Sequence, residues 1–350
     1  MAVTTDGETE LARRVAAALG LDSTYVVNDL ATVGAGQVAR CHRIVYDSHD
    51  RRITVVVKSP STDETSRATA TGGRLYLRET SFYRELQPDV DIRTPDPLHV
   101  EYDPTSDDFM IVLEDLTPAR SADQFTGLSR EDAELALSEL AGLHAPTAAR
   151  GDLHERDWLR GIAQETLKLY ETIVPTLAQQ FIERYDEVLV DRTRRVIERL
   201  GAELAGYADL EPAVPVVVHG DYRADNMIFG GRSGEVPLAI VDWQTIMVAS
   251  PMLDVAYFIA TSLSPADRMQ YEDDLINLYL EQMSRRGVEL DAQVARREYA
   301  RYTLHPVVML VVAAIVVERT ERGDRMFLTM IDRAVEAVEQ WDAFGEIARC

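Results

Sequence analysis

The sequence predicts an α+β fold of two lobes, with a small antiparallel-sheet lobe first and a large, mainly helical lobe second. The chain has 350 residues, which corresponds to about two domains. Short segments rich in β-branched residues and separated by turn signals lie before residue 114, and helical spacing dominates after residue 118. Apolar residues make up 46% of the chain, which is enough for a sizeable core and excludes wholesale disorder.

The first lobe, residues 1–114, is expected to begin with a short helix over residues 8–20, where apolar residues have helical spacing and a glycine ends the pattern. Three strands are expected next, in the segments DLATV, VARCHRIVY and RITVVVK. Residues 74–87 again have helical spacing. Two more strands complete the lobe, at PLHVEY and at Phe109–Leu113.

The second lobe, residues 119–350, follows a short connection over residues 115–118. Ser129 with Asp132 forms the pattern of a helix N-terminus, because each position supplies a capping side chain. Long helical patterns extend through residues 150–206 as an insertion before the central motifs. One β-like island then interrupts the helices, and it consists of the apolar segments 216–218, 227–229 and 238–241.

The balance of charge excludes several classes of partner. The chain has 36 Lys and Arg residues against 59 Asp and Glu residues, which gives a formal net charge of −23. Phosphate backbones and anionic bilayers repel a protein this acidic, so we expect neither nucleic acid nor a membrane surface as a partner. A cationic small substrate would suit the acidic excess, although an acidic surface that maintains solubility is the simpler explanation.

Cysteine content and the N-terminal sequence favour a cytoplasmic protein. Cys41 and Cys350 are too few for a disulfide framework or a four-ligand zinc site. The N-terminal segment MAVTTDGETELARR carries acids early and has no apolar signal core. The longest apolar run, Val307–Val317, is well short of the roughly 20 residues that span a bilayer, and it predicts a buried helix.

The segment VVVHGDYRADNMIF, at residues 216–229, contains the polar residues with the clearest chemical pattern. An apolar strand leads into a His-Gly-Asp sequence that ends at Asp221, and Asn226 follows five positions later. A second acid, Asp242, comes directly after the apolar segment LAIV. An acid, an amide and a second acid at the ends of buried strands suit phosphoryl transfer, in which a carboxylate orients a hydroxyl and hard oxygen ligands hold Mg²⁺.

The pattern HGDxxxxN, followed by an apolar strand and DWQ, resembles the aminoglycoside phosphotransferase and choline kinase superfamily of small-molecule kinases. Within it, the chain looks closest to the phosphotransferase group that includes ecdysteroid-kinase-like enzymes. The resemblance covers most of the chain, with its two tight motifs inside residues 219–254, and it implies the bilobal fold of protein kinases. It also implies ATP as the phosphate donor, with GTP possible, and Mg²⁺ as the metal.

The resemblance implies a role for each polar residue of these motifs. Asp221 would be the catalytic base, Asn226 a metal ligand and Asp242 the principal Mg²⁺ ligand. His219 would brace the loop rather than take part in the chemistry. Asp254, in SPMLDVAYFI, would hydrogen-bond to the backbone of the catalytic loop.

For the other polar and aromatic residues near these motifs, the sequence either indicates a structural role or leaves the role undecided. Asp225 is the rival for the base, but its position does not match the motif. Tyr222 and Arg223 are equally suited to contacting a substrate and to shaping the loop. Trp243 and His144 are expected to be packing residues.

A kinase of this type needs a lysine on its third strand and a helix glutamate that holds the lysine. Lys58 ends the segment RITVVVK, and Glu79 lies 21 residues later in the expected helix. Glu85 is the alternative partner, but Glu79 fits the family pattern. An unpaired lysine inside a nucleotide cleft is costly, whereas a paired one is held in position.

Nucleotide contacts are implied at two further segments. Gly34, Gly36 and Gln37, in the sequence GAGQ, lie where the family has its phosphate-covering loop, between the first two strands. A two-glycine hairpin turn occurs in any sheet, so this sequence alone does not indicate a nucleotide. Glu114 and Leu116 would belong to the hinge between the lobes, whose backbone amide and carbonyl would meet the adenine edge.

The spacing of two acids restricts the acceptor. Asp242 and Asp254 are only twelve residues apart, which leaves no room for the activation segment and peptide-docking platform of a protein kinase. The expected acceptor is therefore a hydroxyl of a small molecule, such as an amino alcohol or a sugar, held between the insertion and the C-terminal helices. Two alternatives stay open: a nucleotide-binding pseudokinase or scaffold, and a kinase that modifies aminoglycoside or macrolide antibiotics. The sequence does not indicate an oligomeric state.

Overall fold

A five-stranded antiparallel sheet forms the first lobe of the computed structural model, which describes residues 6–34, 38–49, 51–160, 162–209 and 211–348. All the strands expected before residue 114 are present, and the α+β fold class is confirmed. Gly36, Gln37 and Cys350 lie outside the described residues. In chain order the strands are β1 (Val26–Thr32), β2 (Ala39–Ser48), β3 (Arg51–Pro60), β4 (Pro97–Asp103) and β5 (Asp108–Glu114), and in the sheet they lie in the order β1-β2-β3-β5-β4.

Helix α1 (Asp6–Ala18) covers one face of this sheet with an apolar stripe. Leu11 and Val15 of the helix are buried in a cluster that includes Val57 of β3. Successive side chains of a strand point to opposite faces. Lys58, the next residue of β3, therefore points away from α1 and toward the second lobe.

Helix α2 (Glu64–Gly72) follows the third strand and is absent from the expected elements. Its N-cap residue, Asp63, accepts a hydrogen bond from the backbone N–H of Ser66 at 2.7 Å. Ser66 and Ala70 are the buried residues of this helix. Its sequence therefore lacks the apolar periodicity from which a helix is predicted.

Helix α3 (Leu75–Ser81) packs against the other face of the sheet. The ring of Tyr76 lies 4.5 Å, between centroids, from that of Phe109 on β5. The helix continues as a wider, π-helical turn over Phe82–Leu86. The expected helical segment 74–87 is thus confirmed in type, with an irregular end, and it places Glu79 opposite β3.

The second lobe consists of helices packed around one apolar core. Its first helix begins after Ser129, whose side chain accepts a hydrogen bond from the N–H of Asp132 at 3.2 Å, as the sequence predicts. The helices are α4 (Arg130–Thr147), α5 (Gly151–His154), α6 (Ile162–Tyr185), α7 (Asp191–Glu203), α8 (Pro251–Ser262), α9 (Pro265–Arg285), α10 (Ala292–Tyr302), α11 (Leu304–Val316), α12 (Glu321–Gln340) and α13 (Ala343–Ala348).

Two small sheets form the expected β-like island. Strand β7 (Val216–Val218) pairs antiparallel with β10 (Met247–Ala249), and β8 (Met227–Gly231) pairs with both β6 (Arg120–Ser121) and β9 (Val236–Ile240). Strands β6 and β10 are too short to show a periodic pattern, which is why the sequence does not indicate them. The pairing brings the polar segments that follow β7 and β9 next to each other.

The stretch Ala292–Val316 is long and apolar enough to cross a membrane by length and composition, with a mean hydropathy of 1.5 in its most apolar window. In the fold it consists of the two helices α10 and α11, and 67% of that window is buried within the protein. A helix that is apolar on most sides is typical of a protein core. The buried helix expected over Val307–Val317 is found in α11.

Candidate active site

Asp221 follows strand β7 at a turn that requires glycine. Gly220 has a φ of 81°, and a Cβ placed on it would lie 2.6 Å from the carbonyl oxygen of Thr245. An L side chain does not fit at that distance or favour that conformation. The glycine allows the chain to turn sharply at the end of the buried strand, and it leaves the Asp221 side chain 18% exposed.

Asp254, in the first turn of α8, holds this turn by accepting hydrogen bonds from its backbone. The N–H groups of His219 and Gly220 donate to its two carboxylate oxygens at 2.6 and 2.8 Å, and Nε2 of His144 lies 3.2 Å from one of them. Burial opposes ionisation of Asp254, but the hydrogen bond and charge of His144 outweigh it, so the pKa of Asp254 lies below its usual value. The predictions that Asp254 binds the loop backbone and that His144 is a packed histidine are confirmed.

His219 connects two parts of the site through its ring. Its Nδ1 lies 3.2 Å from the backbone N–H of Asp221, and its Nε2 lies 3.1 Å from the carbonyl oxygen of Val241. Because a backbone N–H donates to Nδ1, the ring proton is on Nε2 and is donated to the carbonyl. His219 thereby fixes the position of Asp221 relative to Asp242, the residue after Val241.

Replacing Asp254 with asparagine is expected to lower the free energy of unfolding by about 2–3 kcal/mol, because one amide oxygen cannot replace both carboxylate oxygens and a buried N–H loses its partner. The folded-state pKa of Asp254 is lowered, so its stabilising effect is present above the unfolded-state value and is lost as the pH falls through the folded-state value. Urea unfolding of wild type and variant should therefore show a difference that shrinks below about pH 4. A difference that stays constant would contradict a charged Asp254 as its source.

Three side chains hold the Asp221 carboxylate. Arg223 donates from Nε to both oxygens at 3.0 and 3.1 Å, and Nδ2 of Asn226 lies 3.1 Å from Oδ2. The Tyr257 hydroxyl also hydrogen-bonds to Asp221, and burial together with this negative charge raises the pKa of Tyr257 well above its usual value. A partly exposed carboxylate with a fixed orientation can accept a proton from a bound hydroxyl.

Asp225 and Tyr222 make contacts that stabilise the loop. Asp225 accepts hydrogen bonds from the backbone N–H of Gln124 at 2.9 Å and from the guanidinium groups of Arg223 and Arg322, each at 3.3 Å. Tyr222 is fully buried, and its hydroxyl donates to a backbone carbonyl of α4 at 2.7 Å. These contacts assign structural roles to Asp225 and Tyr222, whereas Arg223 touches the candidate base itself.

Lys58 lies between two carboxylates at the boundary of the lobes. Its Nζ is 2.8 Å from Oε1 of Glu79 and 2.7 Å from Oδ1 of Asp242. Burial would lower the pKa of Lys58, but the two carboxylates outweigh it and hold the pKa well above its usual value. At Glu79 the effect of burial is larger than that of Lys58, so the pKa of Glu79 is raised. At Asp242 the effect of Lys58 is larger than that of burial, so the pKa of Asp242 lies below its usual value. One cation thus faces two acids, which favours a further positive charge at this place.

Glu85, the alternative partner for Lys58, points elsewhere. Its carboxylate accepts a hydrogen bond from Nε1 of Trp158 at 2.8 Å and is 47% exposed. The structure therefore pairs Lys58 with Glu79, the partner that the family pattern indicates.

Asp242 has a left-handed backbone conformation, with φ of 71° and ψ of 68°, which is uncommon for a residue other than glycine. Such conformations persist where the surrounding contacts impose them, and they cluster at functional sites. The ring of Trp243 stacks on Phe82 at 3.8 Å between centroids, and its backbone N–H lies 3.3 Å from Oε1 of Glu79. Trp243 is confirmed as a packing residue, and its packing sets the position of Asp242.

Asn226 and Asp242 have the chemistry of Mg²⁺ ligands. The N–H of Val241 donates to the backbone carbonyl of Asn226 at 3.1 Å, which brings the two candidate ligands close together. Asn226 directs its amide nitrogen to Asp221, so its amide oxygen is the group available to a metal. One carboxylate and one amide oxygen fit Mg²⁺, which takes few protein ligands and completes its octahedron with water and phosphate.

The connection between the lobes uses some of its backbone groups internally. The N–H of Glu114 donates to the carbonyl of Asp96 at 2.9 Å, and the carbonyl of Leu116 accepts from the N–H of Arg232 at 2.8 Å. The Leu116 N–H, which makes none of these bonds, is therefore the candidate donor to an adenine edge. The Glu114 side chain pairs with Arg93 and Arg232, and Leu116 is packed into a small apolar cluster.

The predicted phosphate-covering loop is described only at its first residue. Gly34 has a φ of 74°, a conformation that glycine adopts readily, and it follows the end of β1. Gly36 and Gln37 fall in the part of the chain that is not described. Their contact with phosphates stays a prediction.

A small cavity beside Gly220 is the part of the site that the sequence does not indicate. Burial raises the pKa of Tyr170 to about 12, and both Arg78 and Asp221 act on it through their charges, so this phenol lies near both groups. The residues that line the cavity come from distant parts of the chain, and no spacing in the sequence groups them. A more open surface groove, between β6, α4 and β8, contains none of these residues. The cavity is lined by Arg78 of α3, Thr166 and Tyr170 of α6, His305 and Met309 of α11, and Gly220, Thr245 and Met247.

The sheet lobe with its paired lysine and the helical lobe with its two acids and amide define a protein of the kinase-like phosphotransferase class. The chain belongs to the ecdysteroid kinase-like family, whose model matches residues 35–290. The expected superfamily is thereby confirmed.

Three solved structures illustrate the similarity of fold. Spectinomycin phosphotransferase, in complex with ADP and spectinomycin, has a TM-score of 0.56 and 13% identity over 98% of this chain and 100% of that chain. Wild-type aminoglycoside 2'-phosphotransferase-IIIa, in complex with GDP, has a TM-score of 0.55 and 14% identity over 95% and 99%. Choline kinase from Cryptosporidium parvum Iowa II has a TM-score of 0.55 and 12% identity over 95% and 97%. At these identities the similarity concerns the fold alone.

One curated protein is similar over a short segment. Acyl-CoA dehydrogenase family member 10 of Mus musculus is 49% identical over 41 residues, or 12% of this chain. The chain covers 4% of the length of that relative. The match is therefore too short to transfer an activity.

Proposed function

We propose that this protein is an ATP- and Mg²⁺-dependent kinase that transfers the γ-phosphate to a hydroxyl group of a small molecule. The observation that carries the proposal is the contact of Lys58 with both Glu79 and Asp242, next to the strand island that holds Asp221. A paired lysine, a candidate base and two candidate metal ligands are the parts that phosphoryl transfer requires.

The proposed reaction assigns one task to each side chain. Asp221 would orient the acceptor hydroxyl and take its proton while the hydroxyl oxygen bonds to the γ-phosphorus and the bond to the β-phosphate oxygen breaks. Lys58 would contact the phosphates, and Asn226 and Asp242 would hold Mg²⁺. When bound, the metal neutralises charge on the phosphates. Arg223 would keep the Asp221 carboxylate in its orientation through the bonds at 3.0 and 3.1 Å.

ATP is the proposed donor, with GTP as the alternative. Two proteins of this fold were solved with ADP and with GDP, respectively. In this chain the side chains of Glu114 and Leu116 are engaged within the protein, so the adenine edge would meet backbone groups.

A small acceptor is supported by the space around the candidate base. The twelve residues from Trp243 to Asp254 contain β10 and the start of α8, which leaves no extended platform for a peptide. The cavity beside Gly220 is enclosed by α6 of the insertion and by α11, the two regions between which the acceptor is expected. Its volume of about 20 Å³ is close to that of a single water site, so it suits only one polar end group of an acceptor whose remainder lies outside it.

Thermal unfolding with and without nucleotide and Mg²⁺ tests the nucleotide site without knowledge of the acceptor. A ligand at 100 times its dissociation constant adds about 2.7 kcal/mol to the stability, so the unfolding midpoint should rise with MgATP. Asp242→Ala should lose the Mg²⁺-dependent part of this shift. Glu85→Gln is the matched control, because this acid is bonded to Trp158 and not to Lys58, and it should keep the full shift.

The outcomes separate the competing functions. No shift with ATP or GTP would favour a scaffold over a kinase, and an unchanged Mg²⁺ response in Asp242→Ala would remove its role as a metal ligand. If the shift is found, ADP release with a panel of aminoglycosides, macrolides and metabolic alcohols distinguishes an antibiotic-modifying kinase from a metabolic one.

A further inference from the structure

Arg78, which lines the cavity beside Gly220, is a buried cation without a carboxylate partner. Its side chain donates to the backbone carbonyls of Gly73 at 2.8 Å and Ile246 at 3.3 Å, and the residue is only 5% exposed. Its Nε is buried with no hydrogen-bond partner, and none of the described acids forms an ion pair with it. Burial lowers the pKa of Arg78 to about 10, so the group is still charged at neutral pH. A buried cation of this kind is stabilised by a complementary anion.

His305 contributes a second buried group to the same cavity. Its Nδ1 lies 2.6 Å from the hydroxyl of Tyr207, while its Nε2 is buried without a hydrogen-bond partner. Burial lowers the pKa of His305 to about 4, so the ring is neutral at pH 7. When Tyr207 donates to Nδ1, the ring proton is on Nε2, which makes this atom a donor. Arg78 and His305 then present two donors that lack acceptors.

The other groups around the cavity add no negative charge. The side chains are the hydroxyls of Thr166, Tyr170 and Thr245 and the thioethers of Met247 and Met309. A cationic head group would meet Arg78 without a compensating acid in this lining. An amino alcohol, which the acidic composition of the chain could favour, is therefore a poor match for this cavity.

The cavity and the candidate base are adjacent. Gly220 lines the cavity and immediately precedes Asp221 in the chain. Tyr170 lies within reach of the charges of both Arg78 and Asp221. A molecule that bridges these positions would place an anionic end at Arg78 and a hydroxyl at Asp221.

We propose that the acceptor is a small hydroxy acid, whose carboxylate is bound by Arg78 and His305 while its hydroxyl faces Asp221. The inference rests on the proposed kinase function and specifies the class of its substrate. A planar guanidinium matches a carboxylate in geometry, and hydrogen bonds between charged partners are stronger than neutral ones. The carboxylate is unchanged in the reaction, since the phosphoryl group passes only to the hydroxyl oxygen.

Three probes of equal length test this inference by calorimetric titration of the protein with Mg²⁺ and a non-hydrolysable ATP analogue. They are 3-hydroxypropanoate, its neutral amide 3-hydroxypropanamide, and the cationic 3-amino-1-propanol. The acid should bind about tenfold or more tightly than either of the others, as expected for a hydrogen bond between charged groups. This comparison uses the wild-type protein and does not depend on the folding of a variant.

Arg78→Gln tests the residue directly. The variant should lose the preference for the acid while its dissociation constant for the ATP analogue, which reports a folded protein, stays close to wild type. Arg84→Gln is the matched control, because Arg84 follows on the same helical segment and is exposed. It should keep the preference.

Two failures can be told apart. If the ATP analogue binds but the acid binds no more tightly than the other two probes, the hydroxy-acid inference is overturned and the kinase proposal stays intact. The hydroxy-acid inference would also be overturned if the acid is preferred and Arg78→Gln retains that preference. Failure to bind both the ATP analogue and the corresponding GTP analogue would instead overturn the kinase proposal itself.

Discussion

Asp221→Asn is expected to lose phosphoryl transfer while continuing to bind nucleotide. Asparagine keeps the shape of the side chain and can still accept from Arg223, but it cannot take a proton from the acceptor hydroxyl. Removal of a general base costs typically about 10²–10⁴-fold in rate. ADP release, with the best acceptor found and with water as the acceptor, measures this loss, and thermal shift with MgATP measures nucleotide binding.

Asp225→Asn is the matched control for this prediction. The two acids lie four residues apart on one loop and both contact Arg223, yet Asp225 also accepts from the Gln124 N–H and from Arg322. We expect replacement of Asp225 to lower the stability of the protein. The accompanying loss of turnover should be much smaller than the roughly 10²-fold loss in rate that marks the removal of a general base. Full turnover in Asp221→Asn, or a larger loss of turnover in Asp225→Asn, would reverse the assignment.

Lys58→Met is expected to destabilise the protein and to abolish turnover. In the wild-type protein the carboxylates of Glu79 and Asp242 lie 2.8 and 2.7 Å from Nζ of Lys58. The substitution leaves both carboxylates without their cation. Removing one partner of a buried ion pair costs about 3–5 kcal/mol, because the remaining charge is left uncompensated. Urea unfolding measures the stability, and ADP release measures the activity.

The double variant Lys58→Met/Glu79→Gln separates the two effects. Replacing Glu79 removes one of the two uncompensated charges, so part of the lost stability should return, while turnover should stay absent because no lysine contacts the phosphates. The variant Glu85→Gln, which alters an acid bonded to Trp158, should change neither quantity appreciably. Wild-type stability in Lys58→Met would mean that the three charged groups are not coupled as the distances indicate.

The sequence was most informative where function depends on short, local patterns. The apolar strand before His219, the glycine at 220 and the spacing from Asp221 to Asn226 lie within one segment, so the loop and its flanking strands could be predicted together. The glycine could also be given a physical reason once its φ and its distance to Thr245 were known. Helix α2 was missed because it has little buried surface and no apolar period.

Several roles were decided only by contacts between distant segments. The sequence left Tyr222 and Arg223 open, and burial of the first and the bond of the second to Asp221 distinguish them. The sequence predicted that Glu114 and Leu116 belong to the hinge but not which of their backbone groups are free. Their bonds to Asp96 and Arg232 show that the Glu114 N–H and the Leu116 carbonyl are already used within the protein. Such hydrogen bonds depend on how strands and loops approach each other, which local propensity does not encode.

The sequence by itself determined the two-lobed α+β fold, the family and the order of the polar residues, because periodicity and motif spacing are properties of neighbouring residues. Only the tertiary structure decided that Lys58 contacts Asp242 as well as Glu79, and that Arg78 and His305 share a cavity with no acid in its lining. Residues 78 and 305 belong to helices of different lobes, and whether a polar side chain is buried without a partner depends on every element packed around it. That dependence on the whole fold is why the chemistry of the cavity beside Gly220 could not be obtained from the chain alone.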